Sequence, residues 1–500
     1  MRNSKKNIIT TLISQLVVTA CGIVIPRVMI GTFGSEMYGL TASIAQFLAY
    51  ISLLEGGIGR VARAEIYTPL ANGDSIGISK VYHAIKHFFA IVGVVFIGYV
   101  LVLSVAYYDM AKVQEMGRLG TFFLVWIISF GTLAKYLGGL SNLTLLNADQ
   151  KQYVGNFIVT ATTIANMVLV VVLSEIGSDI LVVKIGSSLA YVAQPLCYGL
   201  YVKKHYKLPK VGKNRAKLKQ KWTGVGQHIA YVLHTNIDIV ILTLYANLQL
   251  VAVYSVYKLV ISSMRKITGS FTSGMEAGFG EMIARKEQHS LQMAFRKYKY
   301  MLSFVNVVLF GTTAVLIVPF VKLYTAGITD ANYIQPAFAG VLLLAEAIDC
   351  NMHPCCSLPI SANKLKETRW GSYGEAGINV VLSLILVQWD PLLGVALATL
   401  IATAFKGLFY MIYSARNILQ MKVGELGKNF LLSNGLLVLF AVLGAICNIA
   451  DRIGGFGQWI VWGFGSLALV FTVTSFAYFL CYPTEQKDVF LSIWRKVKKR

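Results

Sequence analysis

Lys258, Ser262 and Arg265 are spaced i, i+4 and i+7 within LVAVYSVYKLVISSMRK, a stretch that otherwise reads as an apolar helix. Tyr254 stands one turn before Lys258. Residues so spaced share one helix face. At about 1.5 Å of rise per residue, Lys258 falls near the middle of its segment and Arg265 in the inner third. Lys135 lies near the middle of another apolar segment, Lys406 in the inner third of a third, and Arg27 about nineteen residues into the first. Two chemistries suit basic residues at such depth: pairing with acids to hold helices together, or lining a watery cavity for an anion.

The acids and neutral oxygens form a second set. Glu346, Asp349 and His353 are spaced i, i+3 and i+7, and Asn379 and Ser383 are i, i+4. Asp238 and Thr399 lie midway along their segments. Converging oxygens of this kind could bind Na+, and a buried carboxylate could bind H+. Pairing of a carboxylate with Lys258 or Lys406 is the other reading. Glu55 and Glu375 also lie within apolar segments, whereas Lys184, Lys322, Lys266 and Glu276 lie near segment ends, where a long side chain reaches the interface.

The elements that must position these residues follow from composition. The chain has 500 residues, 56% hydrophobic and 14% charged, with a mean hydropathy of +0.62. A soluble protein carries about a quarter charged residues. The expectation is an all-α polytopic membrane protein. A span needs about 20 mostly apolar residues. Fourteen segments qualify: 8–31, 38–59, 87–107, 120–146, 153–173, 180–202, 224–246, 249–272, 300–324, 335–359, 373–389, 391–413, 430–449 and 458–481. With the N-terminus inside, the exterior loops hold only Lys112, Arg118 and Arg452 among the 45 Lys and Arg. Basic residues collect in cytoplasmic loops, so both termini are expected inside. The same rule explains most of the +22 net charge without nucleic acid.

Several classes are disfavoured. No phosphate-binding G-x-x-x-x-G-K-[ST] loop, H-E-x-x-H motif or G-x-S-x-G elbow occurs. No loop is long enough for a catalytic domain, so no enzyme activity is expected. The cysteines Cys21, Cys197, Cys350, Cys355, Cys356, Cys447 and Cys481 lack zinc-finger spacing. The His353-Pro-Cys355-Cys356 run reads as packing rather than a metal site. The N-terminal apolar run continues past Cys21 to Ile30, so it reads as an uncleaved span rather than a signal peptide.

An internal repeat organises the spans. YHAIKHFFAIVGV (82–94) aligns with FRKYKYMLSFVNV (295–307), placing Lys86 over Lys299 and Val92 over Val305. GSSLAYVAQPLCYGLYV (186–202) aligns with GVALATLIATAFKGLFY (394–410). Two parallel six-helix repeats result, an arrangement that transporters use around a substrate path. The expected organisation is an N-lobe over 1–202, a basic linker over 203–223 and a C-lobe over 224–413. Two further spans (414–481) and a basic tail (482–500) follow.

These features resemble the polysaccharide flippases of the MOP (multidrug/oligosaccharidyl-lipid/polysaccharide) exporter superfamily. PRVMIGTFGSEMYGLTASIAQFLAYISLLEGGIG (26–59) looks like their first two spans, and NIDIVILTLYANLQLVAVYSVYKLV (236–260) like their seventh and eighth. The resemblance implies two lobes in a V working by alternating access. The implied cargo is an undecaprenyl-pyrophosphate-linked oligosaccharide, with its phosphates in a basic cavity and its polyprenyl tail in lipid. It implies substrate contacts at Arg27 and Arg265; Lys135, Lys258 and Lys406 are further substrate-binding candidates by their depth. It also implies a cation site at Asp238, Asn379 and Thr399, with Ser383 where a second carboxylate is expected. Glu346 and Asp349 are further ion-coupling candidates. A glycan polymerase and glycosyltransferases are the implied partners, and the bacterial inner membrane the location. The competing classes are a multidrug exporter, which would want an acidic cavity, a membrane-embedded glycan polymerase, and a flippase for a teichoic-acid precursor.

Overall fold

The computed structural model describes residues 3–55, 58–209, 225–272, 275–446 and 449–483. The basic linker from 210 to 223, the basic tail from 484 onward and Cys447 lie outside the described residues. The side chain of Glu276 does too. Within the described residues the chain is helical throughout, with no strand. A backbone in hydrocarbon must satisfy its own hydrogen bonds, and a helix does so segment by segment.

The first helix, α1 (Ser4–Ala49), carries the first expected span and the first half of the second, which continues as a 3-10 helix, Tyr50–Glu55. Its one non-helical residue is Gly34, with φ 80° and ψ 169°. Positive φ is open to glycine at little cost, so Gly34 divides spans 8–31 and 38–59. Pro26 keeps helical dihedrals, so the break lies at the glycine and not at the proline. The chain continues through α2 (Ile58–Ala71), α3 (Ser75–Ala111) and α4 (Arg118–Ala134). One π-helical turn, Lys135–Gly139, leads into α5 (Leu140–Ala148). Then come α6 (Gln152–Glu175), α7 (Ile180–His205), α8 (Val225–Tyr245), α9 (Leu248–Thr272) and α10 (Met275–Ala284). The remainder is α11 (Gln288–Tyr324), α12 (Pro336–Ser361), α13 (Leu365–Leu386), α14 (Pro391–Ser414), α15 (Val423–Ile446), the short α16 (Ile449–Arg452) and α17 (Phe456–Cys481).

Each expected span has its helix. Ten stretches are long and apolar enough to cross a membrane, with both halves of α1 in one of them. The helices α9, α12 and α13 have 25, 26 and 22 residues, long enough to span, but their polar residues hold their hydropathy down. These three carry Lys258, Arg265, Glu346, Asp349, Glu375, Asn379 and Ser383. The repeat is visible in the helices themselves: α3 and α11 each have 37 residues and occupy 75–111 and 288–324, in step with the sequence alignment.

The helices form two compact units. The first comprises Met1–Val232 and Leu242–Ala252, the second Leu233–Ile241 and Val253–Arg500. In the first unit α1 packs on α6, α6 and α4 on α7, and α3 on α4. Gly39 of α1 meets the start of α9, where the Leu248 carbonyl occupies the place of an added Cβ. In the second unit α14 packs on α12 and α13, and α11 packs on α12, α15 and α17. One end of this unit holds an apolar core of Phe279, Phe295, Tyr298, Met352, Leu358 and Leu419. Outward-facing residues such as Val102 and Val105 on α3 and Phe464 and Phe476 on α17 are exposed and apolar, as a lipid-facing surface requires.

Candidate functional site

The second unit gathers most of the residues singled out above into one polar network. Arg265 on α9 uses both arms of its guanidinium. Nη1 lies 2.8 Å from Glu346 Oε2 and Nη2 lies 2.7 Å from Asp349 Oδ2, both carboxylates on α12. The i, i+3 spacing of the two acids presents them side by side to that fork. Lys258 Nζ is 3.2 Å from the other oxygen of Glu346. Lys406 on α14 lies between Asp349 Oδ1, at 3.2 Å, and Glu375 Oε1 of α13, at 3.1 Å. His234 Nδ1 on α8 is 3.3 Å from the same Glu375 oxygen. Three cations therefore face three carboxylates across five helices.

The network is buried. Glu346 and Glu375 expose 5% and 2% of their side chains, and only Arg265, at 34%, reaches a third. Removing two charges from water costs several kcal/mol per ion, and only close multiple pairing offsets it. The chain Lys258–Glu346–Arg265–Asp349–Lys406–Glu375 supplies that pairing. Lys258, Arg265 and Lys406 thus take the ion-paired alternative in this structure, and Glu346 and Asp349 are engaged by cations rather than open to a coupling ion.

A cluster of oxygens adjoins the network. Tyr254 donates to Asp238 Oδ2 at 2.6 Å, and Lys258 Nζ stands 3.4 Å from the same phenol. Thr399 lies 3.2 Å from each Asp238 oxygen and 3.4 Å from Asn379 Oδ1. Ser383 donates to Asn379 Oδ1 at 3.1 Å. Asp238, Asn379, Ser383 and Thr399 are all buried, and α8, α13 and α14 deliver them to one point. The donor set is all oxygen with one carboxylate, a combination that could hold Na+ or a proton. No group of three or more His, Cys, Asp or Glu suited to a metal occurs among the described residues.

The first unit treats its charges differently. Lys135, at the head of the π-helical turn, and Lys184 of α7 line one cavity of 300 Å3 together with Thr41, Asn166, Ser187 and Tyr191. π-turns often mark functional sites because they re-aim a side chain. The Lys135 ammonium stands 5.9 Å from the centre of the Tyr191 ring, and Asn166 Nδ2 donates to the Tyr191 hydroxyl at 3.3 Å. No carboxylate lines this cavity. Glu55 lies outside the lining but within electrostatic reach of Lys135, and it accepts from Tyr136 at 2.6 Å. Arg27 is not among the lining residues; an added Cβ on Gly31, one turn further along α1, would lie 3.7 Å from Arg27 Nη1. The arginine therefore runs along its own helix.

Two members were missed from sequence. His234 stands i, i+4 from Asp238, a spacing that could have flagged it. Lys184 reads from the sequence as an end-of-span lysine, and nothing in its neighbours along the chain marks it as a cavity residue. Lys322 does sit at a helix end, 2.8 Å from Asp451.

Comparison with known proteins adds the fold. No family model matches the chain, and no curated protein matches it. Among solved structures, the lipid II flippase MurJ in an inward closed conformation has a TM-score of 0.69 at 15% identity, over 95% of this chain and 99% of that one. An inward-facing MATE family multidrug resistance transporter of the MOP superfamily has a TM-score of 0.57 at 13% identity, over 83% and 99%. A MATE protein in complex with MaD5 has a TM-score of 0.58 at 14% identity, over 85% and 96%. At such identities the likeness is one of fold: this chain has the polytopic helical fold shared by the lipid II flippase and the MATE transporters.

Proposed function

We propose that this protein is a flippase for undecaprenyl-pyrophosphate-linked oligosaccharide units, working by alternating access in the bacterial cytoplasmic membrane with both termini inside. It would serve O-antigen, capsule or exopolysaccharide synthesis beside glycosyltransferases and a glycan polymerase. The observation that carries this reading is the cavity of the first unit, where Lys135 and Lys184 stand with no carboxylate among its lining residues. A pyrophosphate brings negative charge that hydrocarbon cannot solvate, and the two ammonium groups that share this cavity can. Lys258 and Arg265 supply weaker anion contacts, because Glu346 already holds both. That balance suits a carrier, which must release what it binds.

A drug exporter for cations draws less support. Each of Glu346, Asp349 and Glu375 has a basic side chain within 3.3 Å. The Asp238 cluster offers a buried carboxylate whose hydrogen-bond partners are hydroxyls, and we assign that cluster to coupling by Na+ or H+.

Deletion of the gene should abolish surface glycan and leave sensitivity to cationic drugs unchanged. In the deleted strain, Lys135→Ala with Lys184→Ala should lower surface glycan by at least about tenfold at normal protein level, since a hydrogen bond to a charged group contributes about 1.5–3 kcal/mol. Wild-type glycan in that double variant would refute the lysine cavity, and drug sensitivity with intact glycan in the deletion would point to the exporter.

A further inference from the structure

The cavity between α11, α15 and α17 in the second unit belongs to neither site above. Its volume is 370 Å3, and its lining includes Arg296, Lys299, Tyr300, Glu425, Lys428 and Tyr482. Arg296 is spoken for, with Nη2 2.8 Å from Glu425. Among the described residues neither lysine has a carboxylate partner. Lys299 is only 2% exposed, and its ammonium donates to one backbone carbonyl, Leu426 O at 3.2 Å. Lys428 donates to Cys481 O at 3.1 Å and lies 5.2 Å from the Tyr482 ring centre. An ammonium carries three donors, and a carbonyl supplies no opposite charge. Among the described residues two cations thus share one cavity with a single carboxylate that already pairs with a third.

The surroundings suit a group that is ionic at one end and greasy at the other. Tyr300 packs edge to face on both Tyr478 and Tyr482, and those two are tilted against each other, with ring centres 5.3–6.1 Å apart. Aromatic side chains of this kind mark the headgroup level of a membrane. The helices α15 and α17 lie outside the six-helix repeat, and their packing in the unit runs mainly through α11. A ligand seated here would touch all three helices at once.

We propose that this cavity binds a phosphate-bearing anion, held by Lys299 and Lys428 with Tyr300 and Tyr482 alongside. On the expected topology this end of the unit faces the cytoplasmic leaflet, where anionic lipids concentrate and basic pockets between spans take their headgroups. An anionic phospholipid headgroup and free phosphate share the required chemistry. The proposal is independent of the flippase reading.

The test uses the full chain in nanodiscs of three kinds: phosphatidylcholine alone, phosphatidylcholine with phosphatidylglycerol, and phosphatidylcholine with added inorganic phosphate. Ligand retention and the thermal midpoint are read for wild type, Lys428→Gln, and Lys299→Met with Lys428→Gln. A rise in both with phosphatidylglycerol alone, with affinity falling about fivefold per lysine removed, establishes a lipid site. The same pattern with inorganic phosphate establishes a free-phosphate site. Lys297→Gln, on the same helix but not lining the cavity, should change neither. Should the double variant fail to fold, Lys428→Gln alone still decides. Equal retention and equal midpoints in wild type and Lys428→Gln overturn the proposal, as does an equal loss from Lys297→Gln.

Discussion

Lys406 shows most plainly how a buried charge is made tolerable. It touches Asp349 and Glu375 at 3.2 and 3.1 Å, and Glu375 has otherwise only His234 within reach. Lys406→Met should destabilise the protein by about 3–5 kcal/mol, the cost of leaving a buried partner uncompensated. Adding Glu375→Gln should recover much of that loss, since Asp349 keeps Arg265. Thermal unfolding in detergent measures both, and a double variant no more stable than the single would contradict the pairing. Asp238 makes a different prediction. Its partners are the hydroxyls of Tyr254 and Thr399, so Asp238→Asn keeps a polar group of the same shape and loses the charge. Protein level should stay normal while the ion dependence of transport in proteoliposomes falls. Unchanged dependence would remove Asp238 from coupling.

At the scale of elements, glycines decide where helices turn and approach. Gly34 with its positive φ divides the first two spans within α1. Gly39 lets α1 and the first turn of α9 meet backbone to backbone. Gly39→Ala drives a methyl into the Leu248 carbonyl and should cost about 1–3 kcal/mol, as overpacking does. Gly98 on α3 has nothing within 4 Å of its would-be Cβ, so Gly98→Ala should be neutral or stabilising by up to about 1 kcal/mol. Expression level and thermal midpoint compare the two directly; equal effects would mean that the close approach is not what Gly39 provides. Charge also shapes elements here. The helices α9, α12 and α13 are marginal by hydropathy because they carry the network, and their polar faces are solvated by one another instead of by lipid.

At the scale of the whole molecule, the uneven share of basic residues among the loops predicts a topology that can be checked. An epitope inserted at position 213 should be protected in intact cells, and one inserted beside Arg452 should be accessible; the reverse pattern would invert the assignment of sides. The helical class, and roughly the number of long apolar helices, were legible in the sequence. A membrane leaves the chain one local solution, a run of about 20 apolar residues closed into a helix, and local solutions are written in local sequence. Candidate site residues were legible for the same reason, since a charge inside such a run is conspicuous. Their partners were not. Whether Lys258 and Arg265 face Glu346 and Asp349 or an open cavity depends on α9 packing against α12, residues some 80 positions apart. Whether Lys184 snorkels or joins Lys135 depends on α7 packing against α4. Sequence by itself determined which residues carry charge into the membrane; only the tertiary structure decided which charges neutralise one another and which stay uncompensated, because pairing is settled over a few ångströms between helices remote along the chain.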